Sequence, residues 1–168
     1  MKNKVIVLIG CAPCWDFDFR RFCQFNIPFD IGAIGLDCPY EGDIEYFFTY
    51  HPNDIKQYNE KRKQRGLSLN YTIVSHVFDK DNIVSQTEPW ESPSGSSAML
   101  GTLFSMRIGY EKIVLCGCPL EGNNDKGFSY KPFRKGWIIR KDKVINKVRS
   151  MSGWTAEFLG KPEKDWFL

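Results

Sequence analysis

A run of β-branched and aliphatic residues near the start of the chain, Lys4-Val5-Ile6-Val7-Leu8-Ile9, stops abruptly at Gly10. This feature constrains the fold more than any other. The run shows no alternation of apolar and polar residues. A strand apolar on both faces belongs in a parallel sheet covered by helices on each side. The rest of the chain repeats the theme. Phe29–Leu36, Ile44–Tyr50, Tyr71–Ser75 and Lys112–Cys116 read as further strands, and Ile83–Gln86 as a short edge strand after a turn at 79–82. Between them fall helical segments. One is predicted from Asp16, as N-cap, to Gln24. A second runs from a cap at Asn53 or Asp54 to Arg65 and is closed by Gly66. A third runs from Ser97 to Ile108 and is ended by Gly109. The third helix carries Ala98, Met99, Leu100, Leu103, Phe104, Met106 and Ile108, with Arg107 as its one charge. It is therefore expected to be buried. Strand, helix, strand in repetition predicts an α/β fold: a three-layer Rossmann-like domain with a mainly parallel sheet and right-handed crossovers.

At 168 residues the chain fits one domain, 1–168. Its region 131–160 forms a basic C-terminal helical segment, read as a helix over Phe133–Val148, then a turn and short helix over Ser150–Gly160. Glu121–Gly127 reads as a polar loop, and Trp166 and Phe167 as anchors of the tail. Net charge is only +3, yet Lys131–Arg149 holds eight Lys/Arg and one acid, Asp142. The six cysteines are too sparse for a secreted disulfide scaffold and are read as thiols of a reducing compartment, which predicts a cytoplasmic protein. A lipoprotein-like start at Met1–Cys11 is set aside. Its apolar core, Val5–Ile9, falls short of the roughly 7–15 residues a signal needs. No stretch approaches the roughly 20 apolar residues of a membrane span, and no membrane partner is expected.

In an open parallel sheet, ligands sit beyond the carboxyl ends of the strands. The residues there are Gly10–Cys14, Asp37, His51-Pro52, His76 and Gly117–Pro119, a set that includes both histidines of the chain. His51, His76 and Asp37 are candidate functional residues, Asp37 and His76 as substrate contacts; a polar residue hydrogen-bonding a strand end explains each histidine equally simply. Ser94-Gly95-Ser96-Ser97 opens the apolar helix, where unpaired N–H groups and serine hydroxyls favour an anion; an ordinary serine cap explains the same residues. Arg149 with Ser150, Ser152 and Thr155 is a candidate clamp for a phosphate or carboxylate, although a capped helix start at Ser150 or Ser152, with Glu157 nearby, explains the same residues; Arg134 is a further candidate substrate contact. Cys11-x-x-Cys14 with Cys116-x-Cys118 has a poor zinc spacing, and no metal is assigned. The basic segment reads first as a solvated face, and less readily as a phosphate or nucleic-acid contact.

Ser94–Ser97, the buried helix and Gly109-Tyr110-Glu111-Lys112-Ile113-Val114-Leu115-Cys116-Gly117-Cys118-Pro119 together resemble the central motif of Rossmann-like bacterial sialyltransferases. They are equally similar to 6-hydroxymethylpterin diphosphokinase-like proteins. Gly10-Cys11-Ala12-Pro13-Cys14 takes the place of the first-strand "G-x-x-P-S" loop in both. His51-Pro52, Arg134-x-Gly136-Trp137 and Arg149-Ser150-Met151-Ser152-Gly153-x-Thr155 resemble a group of uncharacterised phage and prophage proteins. For a phage protein the compartment is the host cytoplasm. The resemblance implies a nucleotide-dependent transferase, foremost a glycosyltransferase using a nucleotide sugar, CMP-linked by the sialyltransferase likeness. Gly10, Ala12, Pro13, Ser94–Ser97, Gly117 and Pro119 would hold the nucleotide, with no separate cofactor, and His51 would be the catalytic base that deprotonates the acceptor hydroxyl. A diphosphokinase would need Mg²⁺ on carboxylates such as Asp37. A non-catalytic protein binding a nucleotide or nucleic acid is the alternative of another class. The chain departs from the sialyltransferase pattern in its shortness, in having no evident lid, and in having no histidine after Pro119.

Overall fold

A computed structural model describes residues 4–123 and 127–168. Residues 124–126 of the expected polar loop, and Met1–Asn3 ahead of the first strand, lie outside the described residues. Seven strands form one sheet: β1 (Val5–Ile9), β2 (Asp30–Ile34), β3 (Tyr46–Phe48), β4 (Thr72–Ser75), β5 (Gln86–Thr87), β6 (Lys112–Cys116) and β7 (Val148–Ser150). Their order is β5-β4-β3-β2-β1-β6-β7, and each neighbouring pair is parallel. The helices are α1 (Trp15–Cys23), α2 (Ile55–Gln64), α3 (Ser96–Arg107), α4 (Arg134–Ile139), α5 (Lys141–Val144) and α6 (Gly153–Leu159). This is the expected three-layer Rossmann-like α/β fold.

β1 pairs with β2 on one side and β6 on the other, which explains its sequence. Val5, Val7 and Ile9 enter the core beneath α1 and α2, while Ile6 and Leu8 enter the core beneath α3, α4 and α6. Neither face meets water, so alternation has no purpose. α3 lies across the second face, and every residue from Ala98 to Ser105 is buried. Its approach needs small residues. A Cβ on Gly32 of β2 would sit 2.6 Å from the Phe48 ring, and one on Gly101 of α3 would sit 3.0 Å from the same ring. Phe48 therefore fills the space between sheet and helix that the two glycines leave.

The chain leaves β1 toward the first face, through α1, and leaves β6 toward the second, through α4 and α5. The sheet's switch point thus lies between the loops after β1 and β6.

Two expectations need correction. The helix over Phe133–Val148 is broken into a 3₁₀ turn at Lys131–Phe133, then α4 and α5, with Arg140 (φ −100°, ψ 14°) at the join. Its last residue, Val148, opens β7 instead. Arg140 is buried, and its guanidinium donates to the carbonyls of Glu91, Pro93 and Gly136. These bonds hold the turn. Val148 gains more by pairing with Ile113 at the free edge of β6 than by continuing a helix. The cap of α1 is Cys14, not Asp16. Asp16 sits inside the first turn and pairs with Arg20.

Candidate functional site at the carboxyl edge

Past the carboxyl ends of β3 and β4 the chain builds a compact polar patch against the first turn of α3. The Tyr50 N–H donates to Ser97 Oγ (3.3 Å), which ties the end of β3 to the helix. The His51 N–H donates to the buried Thr49 hydroxyl oxygen (3.0 Å). The buried Ser75 hydroxyl donates to the Thr49 carbonyl (2.7 Å) and lies 3.5 Å from Nδ1 of His76. The Tyr50 and His76 rings meet edge-on at 5.4 Å. Backbone bonds therefore fix where His51 and His76 emerge. His51 is exposed and His76 is half-buried. Burial, and then the neighbouring His51, push His76 below the usual histidine value. Burial pushes the Tyr50 phenol up, while Ser94 beside it pulls the other way. Val77, Phe78 and Trp90, all exposed, lie on the loops that follow β4 and β5 at this same edge.

The segment leading into α3 is clamped at both ends. Arg107 donates to the Thr87 carbonyl and pairs with Glu88 (2.7 Å). Arg140 holds Glu91 and Pro93. Gly95 is the N-cap of α3, and its carbonyl accepts from Trp137 Nε1 (2.8 Å). A Cβ on Gly136 would lie 2.4 Å from the Gly95 nitrogen, so only glycine lets α4 press this close. Two N–H groups of the first turn are already engaged: Ser96 donates to Ser94 Oγ (3.1 Å) and Ala98 to Ser96 Oγ (3.3 Å).

The switch-point loops use their polar groups on one another. The Gly10 N–H donates to the Cys116 carbonyl (2.9 Å), and the Ala12 N–H to the Gly117 carbonyl (3.2 Å). The Gly117 N–H donates to Asp18 Oδ2 (2.9 Å), which also accepts from the Ser152 hydroxyl (2.6 Å). Ser152 Oγ lies 3.3 Å from Cys14 Sγ. Pro13 is exposed, and the Pro119 carbonyl accepts from the Thr155 N–H (3.3 Å). Thr155 donates to the Cys118 carbonyl and lies 2.8 Å from the Ser150 hydroxyl. These serines and threonines brace three loops against one another. Asp18 is the residue that sequence reasoning missed. The available signal was an acid on the apolar side of α1, between Trp15, Phe19 and Phe22.

The remaining candidates have their partners outside the histidine patch. Arg149 donates to the carbonyls of Ile145 and Val148 and stacks on Trp166 (5.1 Å). β7 is four strand spacings from β3, roughly 19 Å at the usual spacing. Arg134 donates to the Leu120 carbonyl (2.9 Å) and lies over Trp154 (4.9 Å). Asp37 pairs with Lys61 (3.3 Å) on the rim of a cavity of about 230 Å³ that also includes Tyr58 and Arg65. Cys38 and Cys118 are buried, and Cys38 donates to the Ile9 carbonyl. Among the described residues no three metal-binding side chains gather, and no helix is long and apolar enough to cross a membrane.

Fold and site together define a parallel α/β protein of the Rossmann-like class with a histidine-bearing carboxyl edge. Comparison with protein-family models, curated proteins and solved structures returns no significant match.

Proposed function

We propose that this protein is a nucleotide-dependent transferase, of glycosyltransferase type, acting at the carboxyl edge beside α3. The observation that carries this reading is that the Tyr50 N–H, next to His51, bonds Ser97 in the first turn of α3 while the Tyr50 ring meets that of His76. In such an enzyme the nucleotide phosphate lies against the positive end of the α3 dipole. His51 takes the proton from the acceptor hydroxyl as its oxygen attacks the anomeric carbon. The carbon–oxygen bond to the phosphate breaks, and the nucleotide leaves with the electron pair. Ser94 and Ser97 supply hydroxyls, and Trp90 or Phe78 offers a ring for the base or sugar. Gly10–Cys14 and Gly117–Pro119 act chiefly as a rigid wall, because the N–H groups of Gly10, Ala12 and Gly117 are spent within the fold. Arg149, Ser150, Ser152 and Thr155 support that wall.

The diphosphokinase alternative asks for Mg²⁺ on carboxylates such as Asp37, which here is paired with Lys61. Mg²⁺-dependent turnover of a pterin would favour it. A thermal-shift series with nucleotides and nucleotide sugars tests the primary reading. A ligand at a hundred times its Kd adds about 2.7 kcal/mol, or roughly 5–10 °C for a chain of this size. His51→Ala is expected to keep that shift and to lose transfer. A shift without turnover identifies a non-catalytic binding protein. No shift with any nucleotide, or full activity in His51→Ala, refutes the proposal.

A further inference from the structure

The outward face of the basic C-terminal segment points to a second property, independent of the transferase reading. α4 is locked in rotation by its inner side: Gly136 abuts Gly95, Trp137 donates to the Gly95 carbonyl, and Arg140 holds three carbonyls. Positions i, i+3 and i+4 of the opposite face are Lys135, Ile138 and Ile139, continued backward by Lys131. The two isoleucines are 55% and 60% exposed. Beyond Arg140 the chain adds exposed Lys141, Lys143 and Lys147, with Asp142 as the one acid of the stretch. None of these lysines is in an ion pair among the described residues.

We propose that this face rests on an anionic lipid bilayer, with Ile138 and Ile139 entering the headgroup boundary, and with Lys131 and Lys135 beside them and the exposed Lys141, Lys143 and Lys147 that follow drawn to lipid phosphates and carboxylates. The contact is with the membrane surface only. The chemistry selects lipid over nucleic acid. The arginines of the segment, whose forks suit nucleic-acid phosphates, turn inward to main-chain carbonyls. The Trp154 and Phe158 rings stack on each other at 4.7 Å and are covered by Arg134 and Lys141. No ring of that pair is left to receive a base. Two protruding isoleucines serve no purpose against a phosphate backbone, but they fit the apolar stripe of an interfacial helix. A second copy of this chain would bring a second ring of lysines against the first. The lysines that remain are flexible point charges, the form of cation that a diffuse anionic surface attracts.

Co-sedimentation of the full chain with vesicles tests this. Vesicles of phosphatidylcholine alone are compared with vesicles carrying about a third phosphatidylserine, a composition of strongly negative surface potential. Partition is expected to be at least tenfold stronger on the anionic vesicles and to weaken with salt. Each Lys→Gln change at 131, 135, 141 or 143 is expected to cost about fivefold. Ile138→Ser with Ile139→Ser should cost about tenfold or more, with the melting temperature unchanged because both side chains are exposed. Equal partition on neutral and anionic vesicles, no partition on either, or an isoleucine double variant that binds like the parent overturns the proposal. So does retention on duplex DNA, or on an acidic protein, without vesicle binding.

Discussion

Removing the Asp18 carboxylate should unfasten the switch point, and the size of the effect follows from the geometry. Asp18 is 1% exposed, and one oxygen, Oδ2, accepts both the Gly117 N–H at 2.9 Å and the Ser152 hydroxyl at 2.6 Å. These bonds join α1 to the loop after β6 and to the turn after β7. Asp18→Ala leaves a buried amide and a half-buried hydroxyl without their acceptor. Each orphaned donor costs about 1–3 kcal/mol, so the variant should lose about 2–6 kcal/mol. At roughly 2–4 °C per kcal/mol, a loss near the middle of that range lowers the melting temperature by about 8–16 °C. Asp18→Asn is the informative companion. Its single amide oxygen can occupy the Oδ2 position and accept both bonds, losing only the charge assistance, about 1 kcal/mol. Urea unfolding of the three proteins, with m held equal, measures the differences. If Asn destabilises as much as Ala, the negative charge rather than acceptor geometry holds the loops. If Ala costs less than about 1 kcal/mol, the bracing described here is not what stabilises the edge.

Two further outcomes follow from the same coordinates. His76 has a depressed folded value, so below the ordinary histidine range the unfolded chain binds the proton that the folded chain resists; stability should therefore rise with pH up to about 6.5, and this slope should shrink in His76→Gln. By NMR the His76 ring should titrate low and move upward in His51→Gln, and an unmoved titration would separate the two rings. Among the cysteines, exposed Cys11 should alkylate fastest at pH 8 and exposed Cys23 more slowly, because partial burial pushes its thiol up, whereas Cys38, its thiol pushed up to about 11 by burial, and buried Cys116 and Cys118 should react only on unfolding; rapid labelling of Cys118 in the native protein would contradict the packing.

Much of the architecture was legible because it rests on local rules. Val5–Ile9 lacks alternation, so it had to be buried on both faces, and Ala98–Ile108 is apolar all round, so it had to lie under something. Gly66 and Gly109 mark helix ends with φ of 71° and 99°, a conformation that side chains resist. The strand ends could be placed from these elements, and with them both histidines.

The sequence by itself determined the order of elements as far as β6, the parallel sheet and the carboxyl-edge location of His51 and His76, because each depends on hydrophobic period and chain punctuation. Only the tertiary structure decided which polar groups face outward. Ser150, Ser152, Thr155, Arg134 and Arg149 look like ligand contacts in one dimension, yet Ser152 bonds to the Asp18 carboxylate and the other four bond to carbonyls or hydroxyls of the fold. Asp18 was silent until Gly117 and Ser152, 99 and 134 residues away, arrived beside it. β7 escapes a local reading, which ends a helix at Val148 and opens a turn at Ser150, because three residues carry no period of their own. Its extended state comes from the unpaired edge of β6, and a backbone partner supplied by folding is information that no local window contains.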